Sequence, residues 1–110
     1  MIKISVVRDK EGFIWQYIVE GHAGFAEEGK DLVCAAVSVV AFMGINALDE
    51  LAGLKRNYGF EHGYMLCSVP TDIPEEKKEK VKTILETIVV GFKQIELTYE
   101  DYVSVLEEEV

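Results

Sequence analysis

The stretch DLVCAAVSVVAFMGINALDELAG, residues 31–53, reads as a helix with both ends marked. Asp31 is a side chain suited to an N-cap, where its oxygen can accept from the first free backbone N–H groups. Gly53 is a plausible stop. Between them run about 22 residues without proline, and the first half is apolar on nearly every side. Such a helix is expected to be buried on most of its surface, as the central helix of a domain or at a subunit interface.

Upstream, residues 2–8 (IKISVVR) alternate, and residues 13–20 (FIWQYIVE) are rich in aromatic and β-branched side chains. The turn-like cluster Asp9-Lys10-Glu11-Gly12 between them completes a β-hairpin. The segment Gly21-His22-Ala23-Gly24-Phe25-Ala26-Glu27-Glu28-Gly29-Lys30 then carries three glycines in ten residues and reads as a mobile loop.

Downstream, residues 54–60 and 64–69 suggest a second hairpin across Glu61-His62-Gly63. Asp72-Ile73-Pro74-Glu75 opens a second helix, since proline suits a first turn and acids favour the positive end. Val81, Ile84, Leu85, Ile88, Val89, Phe92 and Ile95 fall on one face at helical spacing, with Gly91 an interior irregularity. Tyr102 to Leu106 reads as a last strand before an acidic end. The order ββαββαβ implies an α+β fold, a mostly antiparallel sheet with two helices packed on one face. One domain over residues 1–110 is expected, because no linker or low-complexity segment interrupts the chain.

Composition narrows the function classes. With 49% hydrophobic and 28% charged residues the chain is an ordinary globular mixture. Its net charge of −9 opposes phosphate backbones, so no direct nucleic-acid partner is expected, and a basic protein partner suits it better. The N-terminal MIKISVVRDK has no apolar signal core, and the apolar run from Leu32 to Ile45 falls short of the roughly 20 residues of a membrane span. A cytoplasmic protein with reduced thiols and no membrane partner follows as the expectation. The two cysteines, Cys34 and Cys67, form no C-x-x-C pair, and neither a metal nor a cofactor is expected.

Chemistry concentrates around the start of the first helix. Cys34 is its third residue, where free N–H groups and the helix dipole favour a thiolate, so a lowered thiol pKa is expected. By position alone Cys34 is more readily a small apolar side chain of an apolar helix. His22 lies upstream among small neighbours, with 11 residues between it and Cys34. A loop that short can return a strand end to a helix start, and a cysteine beside a histidine is the minimal activated nucleophile. Asp31 is read first as a cap, then as a group that orients His22. Ser38 lies one turn beyond Cys34 on the same face. Gly24, Phe25 and Gly29 belong to a loop able to fold over bound substrate. His62 is read as a surface histidine and Cys67 as core.

The run Gly21-His22-Ala23-Gly24, a short loop, then Gly29-Lys30-Asp31-Leu32-Val33-Cys34-Ala35-Ala36-Val37-Ser38 resembles the signature of the bacterial ribosomal-processing cysteine protease family. The resemblance implies a cysteine endopeptidase that removes the N-terminal extension of large-subunit ribosomal protein twenty-seven. It places the nucleophile on Cys34, the histidine on His22 and supporting roles on Asp31 and Ser38. It also implies a homodimer, a His–Cys loop that moves with substrate, and a ribosomal-protein partner with a basic extension. On this reading helix-start N–H groups, that of Cys34 included, are candidates for the oxyanion hole. Two other readings compete: a non-enzymatic ribosome-associated module that holds a basic ribosomal protein, and a thiol redox sensor, which the lack of a nearby resolving cysteine disfavours.

Overall fold

Strand and helix periodicities in the sequence become five strands and two long helices in the computed structural model, which describes residues 1–27, 31–55 and 58–110. Strands β1 (Ile2–Arg8) and β2 (Ile14–Glu20) make the first hairpin, and helix α1 spans Leu32–Ala52. A second hairpin, β3 (Tyr58–Glu61) and β4 (Tyr64–Ser68), precedes helix α2 (Lys78–Thr98) and strand β5 (Val103–Glu109). The sheet order is β3-β4-β2-β1-β5. Three of its four pairings are antiparallel; the exception joins the first and last strands in parallel.

Both helices cover one face of the sheet. Ile4, Val6 and Val103 point into that layer and are almost wholly buried with Val37, Ala41, Ile45, Leu85 and Phe92. Tyr17 is buried too: its hydroxyl donates to the Ala41 carbonyl, and its ring meets Phe92 edge-on with centroids 5.4 Å apart. Gly91 sits where the helices meet. A Cβ there would stand 3.2 Å from a Val40 methyl, so close packing explains a residue that costs a helix roughly 1 kcal/mol against alanine.

The strand boundaries differ from expectation in two places. The second hairpin begins at Tyr58, not residue 54. The helix cap accounts for this: Gly53 adopts a left-handed φ of 65°, and the Leu54 N–H closes back on the Leu48 carbonyl. Residues 56 and 57, also expected in that strand, lie outside the described residues. The last strand runs to Glu109, past the expected Leu106. Its acidic end is supported by cations, since Glu107 accepts from Lys93 and Arg8, which hold its carboxyl below the ordinary range.

Helix α1 departs from expectation more instructively. Val33, Val37, Ala41, Ile45, Leu48 and Ala52 are buried, yet Leu32, Val39 and Met43 are 65%, 65% and 49% exposed. Sheet and α2 cover one side of α1 and leave an apolar stripe on the other. Length and a mean hydropathy of 2.0 would suit this helix to a membrane, but its buried face belongs to the protein core.

Candidate functional site

Everything at the site is organised around the cap of α1. The backbone of Asp31 is extended (φ −80°, ψ 103°), and its Oδ1 accepts from the N–H groups of Val33 and Cys34, both at 3.0 Å. Oδ2 accepts from the Phe25 N–H at 3.1 Å, so one carboxylate ties the upstream loop to the helix start. Burial alone would raise the Asp31 pKa. The donors from Cys34 and Phe25 outweigh it and hold the carboxyl below the usual carboxylate range.

The loop is fixed from other directions as well. Gly21 donates to the Gly63 carbonyl in the β3–β4 turn at 2.9 Å. Gly21 has φ +92°, and a Cβ would lie 2.5 Å from the Met1 carbonyl oxygen, so strand β2 leaves the sheet here through a residue that must be glycine. The ring of Phe25 packs edge-on against Tyr99 and Tyr102, with centroids 5.7 and 5.2 Å away. The described part of this segment, expected to be mobile, is thus docked at Gly21 and at Phe25. Gly29, the other loop position singled out in the sequence, lies outside the described residues.

Cys34 is partly buried, and its Sγ accepts from the Ala23 N–H at 3.4 Å. The expected lowering of its pKa is reversed. Burial pushes the thiol up, the Ala23 N–H pulls it down, and the neighbouring Asp31 carboxylate pushes it up again; the net direction is upward. The reason lies in the cap. The helix-start N–H groups that would favour a thiolate face Asp31 instead, and the carboxylate adds a negative charge beside the sulfur.

His22 is exposed, and its ring lies against His62 with centroids 5.0 Å apart. His62 is also exposed, as the sequence reading held, but it reaches the site through the β2–β4 pairing that sets Glu20 opposite Tyr64. That long-range pairing is the only signal that would have found it. Cys34, His22, His62, Asp31 and Ser38 line one cleft with a volume of about 450 Å³. Apolar side chains from three directions, Ile2, Val37, Phe60 and Met65 among them, complete its wall. The cleft offers a thiol, an imidazole and a backbone donor beside an apolar surface, the components that acyl transfer to sulfur requires. Cys67 stands apart in the core on β4, where burial pushes its pKa up to about 11.

Residues 1–104, which contain this whole cleft, match the family model described as cysteine protease Prp. The ribosomal processing cysteine protease Prp of Bacillus subtilis is 35% identical over 107 residues, 96% of either chain. In the crystal structure of SMU.848 from Streptococcus mutans the same fold recurs with a TM-score of 0.84 at 30% identity, over 100% of this chain and 96% of that one. The ribosomal processing protease Prp of S. aureus, solved with a covalently linked product peptide, aligns with a TM-score of 0.85 at 27% identity, over 97% of this chain and 99% of that one. The chain belongs to the Prp family of ribosomal processing cysteine proteases.

Proposed function

We propose that this chain is the cytoplasmic endopeptidase that cleaves the N-terminal extension from large-subunit ribosomal protein twenty-seven, with Cys34 as nucleophile and His22 as general base and acid. The observation that carries the reading is one cleft holding the thiol, the histidine and a backbone donor 3.4 Å from the sulfur. His22 takes the thiol proton, and the thiolate attacks the scissile carbonyl. The tetrahedral adduct collapses, His22 protonates the departing amine, and water hydrolyses the thioester.

Because Asp31 and burial both favour the protonated thiol, Cys34 waits in its neutral form and becomes nucleophilic only when His22 accepts the proton. Asp31 serves by holding the Phe25 loop against the helix start, and Ser38 serves on the cleft wall. Gly24 and Phe25 belong to the segment that folds over bound substrate. The S. aureus relative was solved with a substrate peptide, which supports a peptide substrate for this chain. A net charge of −9 suits a basic ribosomal-protein partner. Two copies pair through the exposed stripe of Leu32, Val39 and Met43, and Val39→Glu should convert the dimer to monomer in sedimentation velocity.

The decisive experiment incubates a peptide spanning the extension junction with wild type, Cys34→Ala and His22→Ala. Wild type should cleave it, Cys34→Ala should not, and His22→Ala should lose roughly 10²- to 10⁴-fold in kcat. Cleavage that survives Cys34→Ala rejects the nucleophile; a peptide untouched by wild type rejects the substrate.

A further inference from the structure

The tetrahedral adduct places a negative oxygen on the carbon that joins the sulfur, and something must donate to it. The helix start is the obvious source, yet three of its donors are already committed. Val33 and Cys34 N–H groups donate to the Asp31 carboxylate, and the Ala35 N–H donates to the Asp31 carbonyl. Turning the Cys34 N–H toward substrate would break the bond that caps the helix. A donor is aimed at the sulfur from the opposite side: the backbone N–H of Ala23.

We propose that the Ala23 N–H is an oxyanion-hole donor of this enzyme. An oxyanion lies two bonds from Sγ, so a donor that reaches the sulfur at 3.4 Å can reach the oxygen formed beside it. In the resting enzyme this N–H holds the thiol. As the C–S bond forms, the carbonyl π electrons move to oxygen and the thiol proton is on His22; the N–H then transfers its hydrogen bond from a sulfur that has lost its charge to an oxygen that has gained it. When the adduct collapses, the C–N bond breaks, the amine leaves with the proton from His22, and the carbonyl re-forms.

Preorganisation is what gives such a donor its effect, and Ala23 has it. The residue is 5% exposed. Gly21 is anchored on the Gly63 carbonyl and Phe25 on Asp31, which brackets Ala23 on both sides. No side chain at position 23 takes part, so ordinary mutagenesis would pass over it.

The assignment rests on Cys34 being the nucleophile, and the test separates the two. Joining a synthetic 1–33 thioester to a 34–110 fragment at Cys34 gives the full chain with lactic acid at position 23, an ester in place of the His22–Ala23 amide. The all-amide protein made the same way must cleave the junction peptide, and its Cys34→Ala form must not; cleavage by the latter overturns the nucleophile and this proposal together. The ester form should lose about 10²- to 10³-fold in kcat. Iodoacetamide alkylation of Cys34, which forms no oxyanion, should fall at least about 10-fold less than cleavage does. Equal losses, or unchanged cleavage, overturn the role of Ala23 and leave the nucleophile standing. A second measurement needs no folding of a variant. A peptide aldehyde should add to Cys34 of the wild-type chain as a hemithioacetal and move the Ala23 amide proton downfield in its NMR spectrum; an unmoved resonance beside a formed adduct overturns the proposal.

Discussion

Cys34 and Cys67 are the same side chain in two surroundings, and both are held above the ordinary thiol range. Cys67 lies in the apolar layer between sheet and helices, and burial is the main cause of its shift. Cys34 is opposed by burial too, but it also faces an N–H donor, a carboxylate and a cleft shared with His22. Cys34 sits at a helix N-terminus, yet its thiol is pushed up by burial and by the Asp31 carboxylate. A cap residue that takes the N–H groups opposes that electrostatic advantage, and in the mechanism proposed above the activation comes from His22.

The comparison is most severely tested by removing each sulfur in turn. Cys34→Ala should abolish cleavage, with a loss of at least about 10⁴-fold in kcat, as expected when the nucleophile of a covalent mechanism is deleted. Cys67→Ala should keep kcat within about 3-fold, because the core thiol touches no reacting atom. It should instead lower stability by about 1 kcal/mol through the small cavity left beside Tyr17. Peptide cleavage and urea unfolding of the two variants read both effects. A large catalytic loss in Cys67→Ala with an intact fold would break the division.

Much of this was legible in advance because it is local. Asp31 and Gly53 mark the ends of α1 by side-chain chemistry that acts within a few residues, and both were placed correctly. Gly21-His22-Ala23-Gly24 with Asp31-Leu32-Val33-Cys34 carried the family, and the family model matches over residues 1–104. What stayed hidden depends on groups far apart in the chain. The parallel pairing of β1 with β5 joins residues about a hundred positions apart, and the β2–β4 pairing that brings His62 to His22 crosses α1. The thiol pKa was misjudged for a subtler reason. Cap and thiol are each readable in the sequence, but their opposition lies in the geometry, where one Asp31 oxygen accepts the N–H groups of Val33 and Cys34.

A gentler probe compares the two thiols without changing the protein. The thiolate is the alkylated form, so a raised pKa moves the rise in rate to higher pH. Iodoacetamide labelling of Cys34 should therefore climb through a midpoint above the ordinary thiol value of roughly 8.5. Cys67, with its pKa near 11, should label later and more slowly still, since its burial also blocks the reagent. Mass spectrometry of timed samples separates the two sites. A Cys34 midpoint below that of a free thiol would restore the helix-end account; equal rates at both sites would erase the contrast.

The smallest expected effect isolates the carboxylate itself. Asp31→Asn keeps an oxygen that can cap the helix but removes the charge beside the sulfur, together with the second acceptor that Phe25 uses. The Cys34 labelling curve should shift to lower pH, with a several-fold faster rate at pH 7, because one of the causes that raise the thiol pKa is gone. Stability should respond with its own pH dependence. The Asp31 carboxyl is held below its unfolded value of about 3.9, so its charge stabilises the fold above that value, and the stabilisation is lost as pH falls through the folded pKa. Wild type should exceed Asp31→Asn by about 1 kcal/mol or less at pH 7, and the two should converge in acid. Urea unfolding at pH 7 and near pH 3 measures both ends. A gap that stays constant across that range would mean that Asp31 acts as a neutral hydrogen-bond acceptor, and the raised pKa of Cys34 would then have to come from burial alone.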